Sequence, residues 1–285
     1  KERGMTAVFL GSNGNKFARE LKAQRQLTNQ ANTKMGQALT TYSSESGEIN
    51  QIILTIKQEL DKLDTMRDRI DHLNISVGDA LSYYTNQNNK MLRLTGYFIN
   101  ISPKEAVKQA LAYYSFIEAK ELAGIERAVA SGGFAQDKFS AMAFQKFISL
   151  NAKQETYLAQ FMLNSSDNIK SDFNLKMTNN AVNEVKRMRS IAMNTGQLGP
   201  FNIEAGTWFK HATTRINLLK EIENQQSASF LTEVEQLQQT AQREVIFTLG
   251  IVLTSVALTL IVALSVLKNL LLQVDEISKT MSKAK

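Results

Sequence analysis

An uncharged apolar run near the C-terminus constrains this 285-residue chain more than any other feature. Residues 245–267 read VIFTLGIVLTSVALTLIVALSVL and contain neither a charged residue nor a proline. At about 1.5 Å per residue, a helix of this length measures roughly 35 Å, enough to cross a bilayer core of about 30 Å. A buried core helix is the alternative, but 23 such residues are too many for one. The run therefore predicts a transmembrane helix over residues 244–267.

The charges beside this run predict its orientation. The tail, residues 268–285, contains four lysines against one aspartate and one glutamate, and positive charge next to a span favours the cytoplasm. Residues 1–243 are therefore predicted to form a domain outside the cytoplasm. The chain contains no cysteine, which excludes disulfides and thiol chemistry. We expect further chain before Lys1 and after Lys285.

Composition and periodicity predict an all-α fold. The chain has two prolines, and its long stretches of Ala, Leu, Gln, Lys and Glu favour helices. No segment of useful length alternates with period two, so we expect no sheet. Eight predicted helices most simply pack as two antiparallel four-helix bundles followed by the transmembrane helix. A short repeat, ERGMTA at 2–7 and ERAVAS at 126–131, fits two related halves.

Apolar spacing and turn residues predict the helices between these landmarks. Residues 43–47, SSESG, are predicted to form a loop. The stripe from 49 to 70 alternates spacings of four and three, which predicts one bundle helix with Arg67 as its polar interruption. Residues 167–195 are likewise predicted to form one helix, capped at its start by the preceding polar residues.

Capping residues predict the boundaries of two further helices. Residues 102–105, SPKE, form a capping box with proline at the first helical position. They predict a helix that extends to about residue 130 and ends at the glycines of 131–133. After a turn at 196–200, the last soluble helix is predicted to start near residue 203 and to continue into the membrane.

Several classes of function lack their sequence signals. The two histidines, His72 and His211, are far apart in sequence, and no metal-binding spacing accompanies them. Glycine loops that bind nucleotides and nucleophile elbows are absent, so we expect no enzyme, no cofactor and no metal. The net charge of +6 is spread along the chain without a basic run, which argues against nucleic-acid binding.

Three arginines occupy positions where the pattern calls for apolar or small residues. They are Arg3, Arg127 and Arg215, the last on a helix face that also carries a histidine. A guanidinium on an apolar face must be paired, because burying an unpaired charge is costly. One interpretation is an internal ion pair with Glu2 or Glu126. The other is a small anion held between helices, since the planar guanidinium matches the planar oxygens of nitrate or a carboxylate.

Three ordered motifs carry a resemblance to a known family. The opening KERGMTAVFLGSNG at 1–14, followed by Leu21 and Arg25, resembles the start of the nitrate- and nitrite-sensing (NIT) domain of bacterial receptors. The segment ELAGIERA at 121–128 is similar to the central motif of that family. Trp208 with TRI at 214–216 resembles its closing motif. The resemblance covers roughly residues 1–225.

The resemblance implies a periplasmic all-helical sensor in which nitrate or nitrite binds between two bundles through arginines. Arg3, Arg127 and Arg215 occupy the matching positions, and Arg25 is a further candidate ligand. We expect Glu2 and Glu126 to lie close to the arginines and to offset part of their charge.

The C-terminal part resembles a chemoreceptor of the bacterial inner membrane. Residues 267–285 look like the first helix of a HAMP relay segment, although the proline often found near its start is missing. Such receptors are homodimers, and the apolar seam of residues 219–241 is a candidate interface. A methyl-accepting chemotaxis protein is the favoured interpretation, with a downstream cytoplasmic signalling domain. The alternatives are a histidine kinase or another receptor, a sensor of a different anion, and a membrane-anchored helical interaction protein without a ligand.

Overall fold

The protein is all-α throughout the residues that its computed structural model describes, which are 1–41 and 47–283. Of the predicted loop at 43–47, residues 43–46 lie outside the described residues, and Gly47 opens a helix. The helices are α1 (Glu2–Gly11), α2 (Ala18–Thr41), α3 (Gly47–Leu60), α4 (Leu63–Asp71), α5 (Val77–Ile101), α6 (Val107–Ala135), α7 (Ala141–Asn164), α8 (Asp167–Lys176), α9 (Asn180–Thr195) and α10 (Ala205–Lys283).

Two of the predicted helices are interrupted. The helix predicted for 49–70 is divided into α3 and α4, because the backbone tightens at Lys62, whose N–H bonds the carbonyl of Glu59 at 3.2 Å. Its apolar stripe continues across the break, so periodicity alone could not reveal it. The helix predicted for 167–195 is divided into α8 and α9, where the side chain of Asn179 caps the N–H of Ala181 at 2.9 Å.

The first bundle contains α1, α2, the interrupted helix α3–α4, and α5. Residues near the start of α2, in α4 and near the start of α5 share one core with the end of α1. The other ends of α2 and α5 share a second core with α3, so consecutive bundle helices run antiparallel. The two cores consist of Phe9, Leu10, Leu21, Leu63, Ile70, Ala80 and Tyr84, and of Leu39, Ile49, Ile53, Ile56 and Leu94.

The second bundle repeats this arrangement with α6, α7, the interrupted helix α8–α9, and the first part of α10. Trp208 is fully buried in the larger core, where the end of α6 meets the starts of α7 and α10. The second core joins the start of α6 to the end of α7 and to α8. The all-α fold with two four-helix bundles is therefore confirmed. The cores include Phe134, Phe139, Phe147, Met188 and Trp208, and Phe116, Phe161, Ile169, Leu219 and Ile222.

Both predicted ends of α6 were wrong. Ser102 ends α5, and residues 104–106 form a turn in which the N–H of Ala106 bonds the carbonyl of Pro103 at 2.8 Å. The helix begins only at Val107. It also continues through the glycines of 131–133 to Ala135. Gly133 is required there by packing, because a Cβ at this position would overlap the ring of Phe139.

The chain forms two compact units, Lys1–Phe230 and Leu231–Lys285. The first unit contains both bundles, and helix α10 continues from it into the second. Within the second unit the side chains of residues 238–274 are exposed, including the apolar run. Among the described residues, α10 alone is long and apolar enough to cross a membrane, judged by length and composition.

Candidate functional site

A buried glutamate lies in the interior of the first bundle. Glu2 of α1 accepts two hydrogen bonds from Arg67 of α4, from Nε to Oε1 and from Nη2 to Oε2, both at 2.8 Å. The hydroxyl of Tyr84 donates a third at 2.8 Å. Arg67 also donates from Nη1 to the side-chain oxygen of Asn29 at 2.7 Å. This network links all four helices of the bundle through one carboxylate.

The second bundle contains a matching network around Glu126 of α6. Arg189 of α9 donates from Nε to Oε1 at 2.6 Å and from Nη2 to Oε2 at 2.5 Å. Gln154 of α7 donates to the same carboxylate at 2.9 Å. Arg215 of α10 donates to the Gln154 oxygen at 3.0 Å and lies 4.0 Å from Oε2 of Glu126. Two arginines therefore share one carboxylate here.

Both glutamates are held in the ionised form. Burial by itself would raise the pKa of Glu2, but hydrogen bonds from Arg67 and other donors outweigh it and lower the pKa below its ordinary value. Burial likewise opposes ionisation of Glu126, and the charge of Arg189 with its hydrogen bonds lowers the pKa overall. Burial lowers the pKa of Arg215 to about 10, and the neighbouring charge of Arg189 adds to the effect.

The residue after each glutamate points into a cavity between the bundles. Successive helical residues are about 100° apart, so a buried Glu2 or Glu126 turns its neighbour toward another face. Arg3 and Arg127 thereby line a common cavity of about 430 Å³, bordered by α1, α5, α6 and α10. A second cavity of about 290 Å³ also borders both arginines.

Arg3 is paired at this cavity. Its Nη1 donates to the hydroxyl of Thr85 at 3.1 Å and forms an ion pair with Glu121 of α6. The second oxygen of Glu121 accepts a hydrogen bond from Nδ2 of Asn88 at 3.1 Å. The side chains of Arg3 and Glu121 are 13% and 14% exposed. The ion pair therefore connects α1 of the first bundle to α6 of the second, and the hydrogen bonds of Thr85 and Asn88 add α5.

Arg127 has no such partner. Its Nη1 donates to the hydroxyl of Thr213 at 2.9 Å, and its Cζ lies 4.7 Å from the ring centroid of Phe209. Within residues 1–41 and 47–283, no carboxylate forms an ion pair with it. Burial lowers the pKa of Arg127 to about 10, and the like charge of Arg3 contributes further. Trp208 fixes the backbone, since its Nε1 donates to the Arg127 carbonyl at 3.0 Å.

Two glycines allow the arginines to cross between the bundles. A Cβ at Gly124 would lie 2.8 Å from Nη2 of Arg3, and a Cβ at Gly4 would overlap Nη2 of Arg127. Each guanidinium therefore lies against a glycine of the opposite bundle. A larger side chain at either position would force the end of the facing arginine to shift.

The cavity lining contains more basic than acidic side chains, and two of the basic ones, Lys120 and Lys220, are ion-paired with Glu223 of α10. Within the described part of the chain, its lining contains one acidic side chain, Glu121. Burial lowers the pKa of Lys120 to about 7, with a further contribution from Lys220 and an opposing one from Glu121. An anion entering the cavity would relieve the repulsion among these cations. The basic lining residues are Lys1, Arg3, Lys120, Arg127 and Lys220.

Comparison with known proteins identifies the family. Residues 1–231 match the NIT family, which is described as nitrate and nitrite sensing. The chain belongs to the NIT family. The assignment based on the three sequence motifs is therefore confirmed, and the two bundles form a NIT domain.

One curated protein and one solved structure are similar to the chain. The nitrate regulatory protein of Klebsiella oxytoca is 25% identical over 231 residues, an alignment that covers 78% of this chain and 56% of that protein. The chain thus spans about half the length of this curated relative. The structure of the NasR transcription antiterminator superposes with a TM-score of 0.76 at 24% identity, covering 83% of this chain and 64% of the other. At that identity the likeness shows the fold.

The NIT domain brings together two of the four candidate arginines. Arg3 and Arg127 share the cavity, and neither forms the ion pair with Glu2 or Glu126 that one interpretation of the sequence predicted. Arg215 instead lies in the buried network of Glu126, and Arg25 forms an ion pair with Asp71 at 2.7 Å and lies 3.8 Å from Glu2. The structure does not bring either of these two to the cavity lining. Of the expected contacts with the candidate arginines, Glu126 lies 4.0 Å from Arg215, whereas Glu2 pairs with Arg67 of α4 rather than with Arg3. The main partner of Glu126 is Arg189 of α9.

Several residues of the NIT site have no distinct sequence signal. Thr85, Asn88, Lys120 and Thr213 are ordinary polar residues on helices, and only the fold gathers them at the cavity. Arg67 did have a signal, because it interrupts an apolar stripe. No group of three potential metal ligands occurs in the described ranges, and His72 lies exposed beside Asp68.

Proposed function

We propose that this NIT domain binds nitrate or nitrite in the cavity between the bundles, with Arg3 and Arg127 as the principal ligands. The observation that carries the proposal is Arg127, a partly buried guanidinium without a carboxylate partner in the described chain. A buried cation of this kind is costly unless a counter-ion compensates it. A small anion would supply the missing charge.

The chemistry of the lining favours a flat monovalent anion. A guanidinium offers two parallel N–H donors that match two oxygens of a planar group. Hydroxyl and amide groups beside the arginines, from Thr85, Asn88 and Thr213, can complete the hydrogen bonds. The cavity of about 430 Å³ leaves room for water next to the anion.

The two remaining candidate arginines are proposed to act indirectly. Arg215 and Arg189 surround Glu126, which precedes Arg127 on α6, so they hold the helix that presents Arg127. Arg25 similarly lies beside Glu2, which precedes Arg3. Neither Arg215 nor Arg25 is proposed to contact the anion, since neither lines the cavity.

Helix α10 supports a proposal for how binding is relayed. It contributes Phe209 and Thr213 to the cavity and also contains the apolar run at 245–267. We propose residues 1–243 as a periplasmic sensor, 244–267 as a span of the bacterial inner membrane, and 268–285 as the start of a cytoplasmic HAMP-like helix. If α10 has two positions and the ligand binds the protein more tightly in one of them, binding shifts the equilibrium toward that position.

The output is proposed to be that of a homodimeric chemoreceptor with a downstream cytoplasmic signalling domain. A histidine kinase is an alternative with the same architecture. A transcription regulator is a second alternative, favoured by the names of the two relatives, a nitrate regulatory protein and an antiterminator. The apolar run of α10 favours the membrane receptor, and fusion of reporter enzymes on either side of this run would distinguish the two.

Calorimetry with a panel of anions tests the ligand. The full chain in detergent is titrated with nitrate, nitrite, chloride and acetate. We expect heat and saturation with nitrate or nitrite, and much weaker binding of spherical chloride because it matches one donor of the guanidinium rather than two. Equal binding of chloride and nitrate would contradict the proposed specificity. A melting temperature unchanged by millimolar nitrate would indicate a bundle without a ligand, since a ligand of the folded state must stabilise it.

A further inference from the structure

The carboxylate of Glu121 contacts one of the two arginines that are proposed to bind the anion. It is ion-paired with Arg3 and is the one acidic side chain of the cavity lining within the described chain. Arg127, on the other side, donates to the hydroxyl of Thr213 and lies over the ring of Phe209, and it forms no ion pair with a carboxylate of the described residues. The two arginines therefore differ in availability, although both face the same cavity.

A carboxylate and nitrate make similar demands on a guanidinium. Both present two oxygens in a plane, and both are singly charged, so they compete for the same N–H donors. With Glu121 in place, an anion that reaches Arg3 must share its donors with the carboxylate or displace it. Repulsion between the two negative charges in a partly buried cavity favours displacement.

The surroundings of Glu121 allow it to leave Arg3 without becoming unpartnered. Asn88 holds its second oxygen at 3.1 Å from α5. Lys120 is the neighbouring residue on α6 and also lines the cavity, and Glu121 raises its pKa against the effect of burial. A carboxylate released from Arg3 thus remains beside the amide donor of Asn88, whereas Lys120 is itself ion-paired with Glu223.

We propose that Glu121 is an internal counter-ion that occupies Arg3 in the absence of ligand and is displaced when nitrate binds. This inference rests on the proposed function of the cavity. It makes Glu121 a residue that sets affinity, by lowering it, rather than a ligand. It also gives binding a structural consequence, because displacement removes an ion pair between α1 and α6 and replaces it with an anion shared by Arg3 and Arg127.

The variant Glu121→Gln tests this role, with nitrate titrated into the full chain in detergent. The amide keeps the size of the side chain and removes its charge, so Arg3 is freed. We expect nitrate to bind at least about tenfold more tightly, because it no longer has to replace a charge-assisted hydrogen bond between Arg3 and Glu121. Glu118→Gln is the matched control, because Glu118 lies one turn earlier on α6 and hydrogen-bonds Tyr114 instead. Its affinity should stay within about twofold of that of the unmodified chain.

The outcomes separate this inference from the proposed function. If the unmodified chain binds no nitrate, the proposed function fails. If it binds nitrate but Glu121→Gln binds equally or more weakly, Glu121 supports the site and the competitor role is wrong. An equal gain in Glu118→Gln would indicate a general effect of charge and would also contradict it. Glu121→Ala provides a second variant, and failure of both to fold would assign Glu121 a purely structural ion pair.

Discussion

The two bundles hold a buried glutamate in the same way but balance its charge differently. In the first bundle Glu2 is paired with Arg67, while Arg25 has Asp71 as its closer partner. In the second bundle Arg189 and Arg215 share Glu126. The arginines facing the cavity repeat the contrast, because Arg3 is ion-paired and Arg127 is not.

This difference places the uncompensated positive charge in the second bundle. A buried charge is tolerated only when partners repay its desolvation. Arg25 and Arg67 find their partners within the first bundle, and Arg3 is paired with Glu121 of α6. The second bundle leaves a charge to be neutralised by something outside the fold. The unpaired Arg127 therefore explains why a cavity between two related halves would bind an anion. We expect substitutions in the two halves to change stability and nitrate affinity by different amounts.

The largest expected effect concerns the stability of the two glutamate networks. Glu126→Gln would leave Arg189 and Arg215 without a carboxylate, and we expect a loss of about 3–5 kcal/mol in the free energy of unfolding. Glu2→Gln should cost less, because Arg67 retains Asn29 and Asp64 as partners. Urea denaturation followed by helical circular dichroism measures both.

Glu155→Gln, at an exposed position of α7, is the control for removal of a surface charge. It should change the free energy of unfolding by no more than about 0.5 kcal/mol. Equal losses in Glu2→Gln and Glu126→Gln would show that the surplus charge of the second bundle has no energetic consequence, and the comparison would be wrong.

A smaller effect is expected for the arginines themselves, measured as nitrate affinity by calorimetry. Lysine keeps the charge but loses the pair of parallel donors. Arg127→Lys should therefore weaken binding about tenfold or more. Arg3→Lys should weaken it less, because lysine also loosens the competing contact with Glu121.

Arg187→Lys, on the exposed face of α9, provides the control, since its partner is Glu184 in the same helix. Its nitrate affinity should equal that of the unmodified chain. A greater loss in Arg3→Lys than in Arg127→Lys would reverse the proposed order of the two ligands. It would also argue against Glu121 as a competitor.

Much of the fold followed from the sequence because local patterns determine it. Apolar periodicity, few prolines and a short repeat predicted the two bundles, which the structure confirms. The breaks at Lys62 and Asn179 were missed because the apolar stripes continue through them. The end of α6 was misplaced because Gly133 accommodates Phe139, a contact that no local pattern reveals.

The site was only partly predictable for a related reason. The placement of arginines among small and apolar residues singled out Arg3 and Arg127, which both line the cavity. The same pattern at Arg215 marked a buried network instead, since both situations place a guanidinium on an apolar face. Deciding between them requires the partner from the other helices, here Gln154 and Glu126. The competing contact of Glu121 with Arg3 likewise depends on tertiary structure.

A crystal structure of the protein with nitrate would test the central claim most directly. The account predicts one nitrate in the cavity, with oxygens about 2.7–3.2 Å from guanidinium nitrogens of Arg3 and Arg127, and with Glu121 no longer on Arg3. Nitrate bound in the Glu126 network beside Arg215, or on a surface away from both cavity arginines, would contradict it.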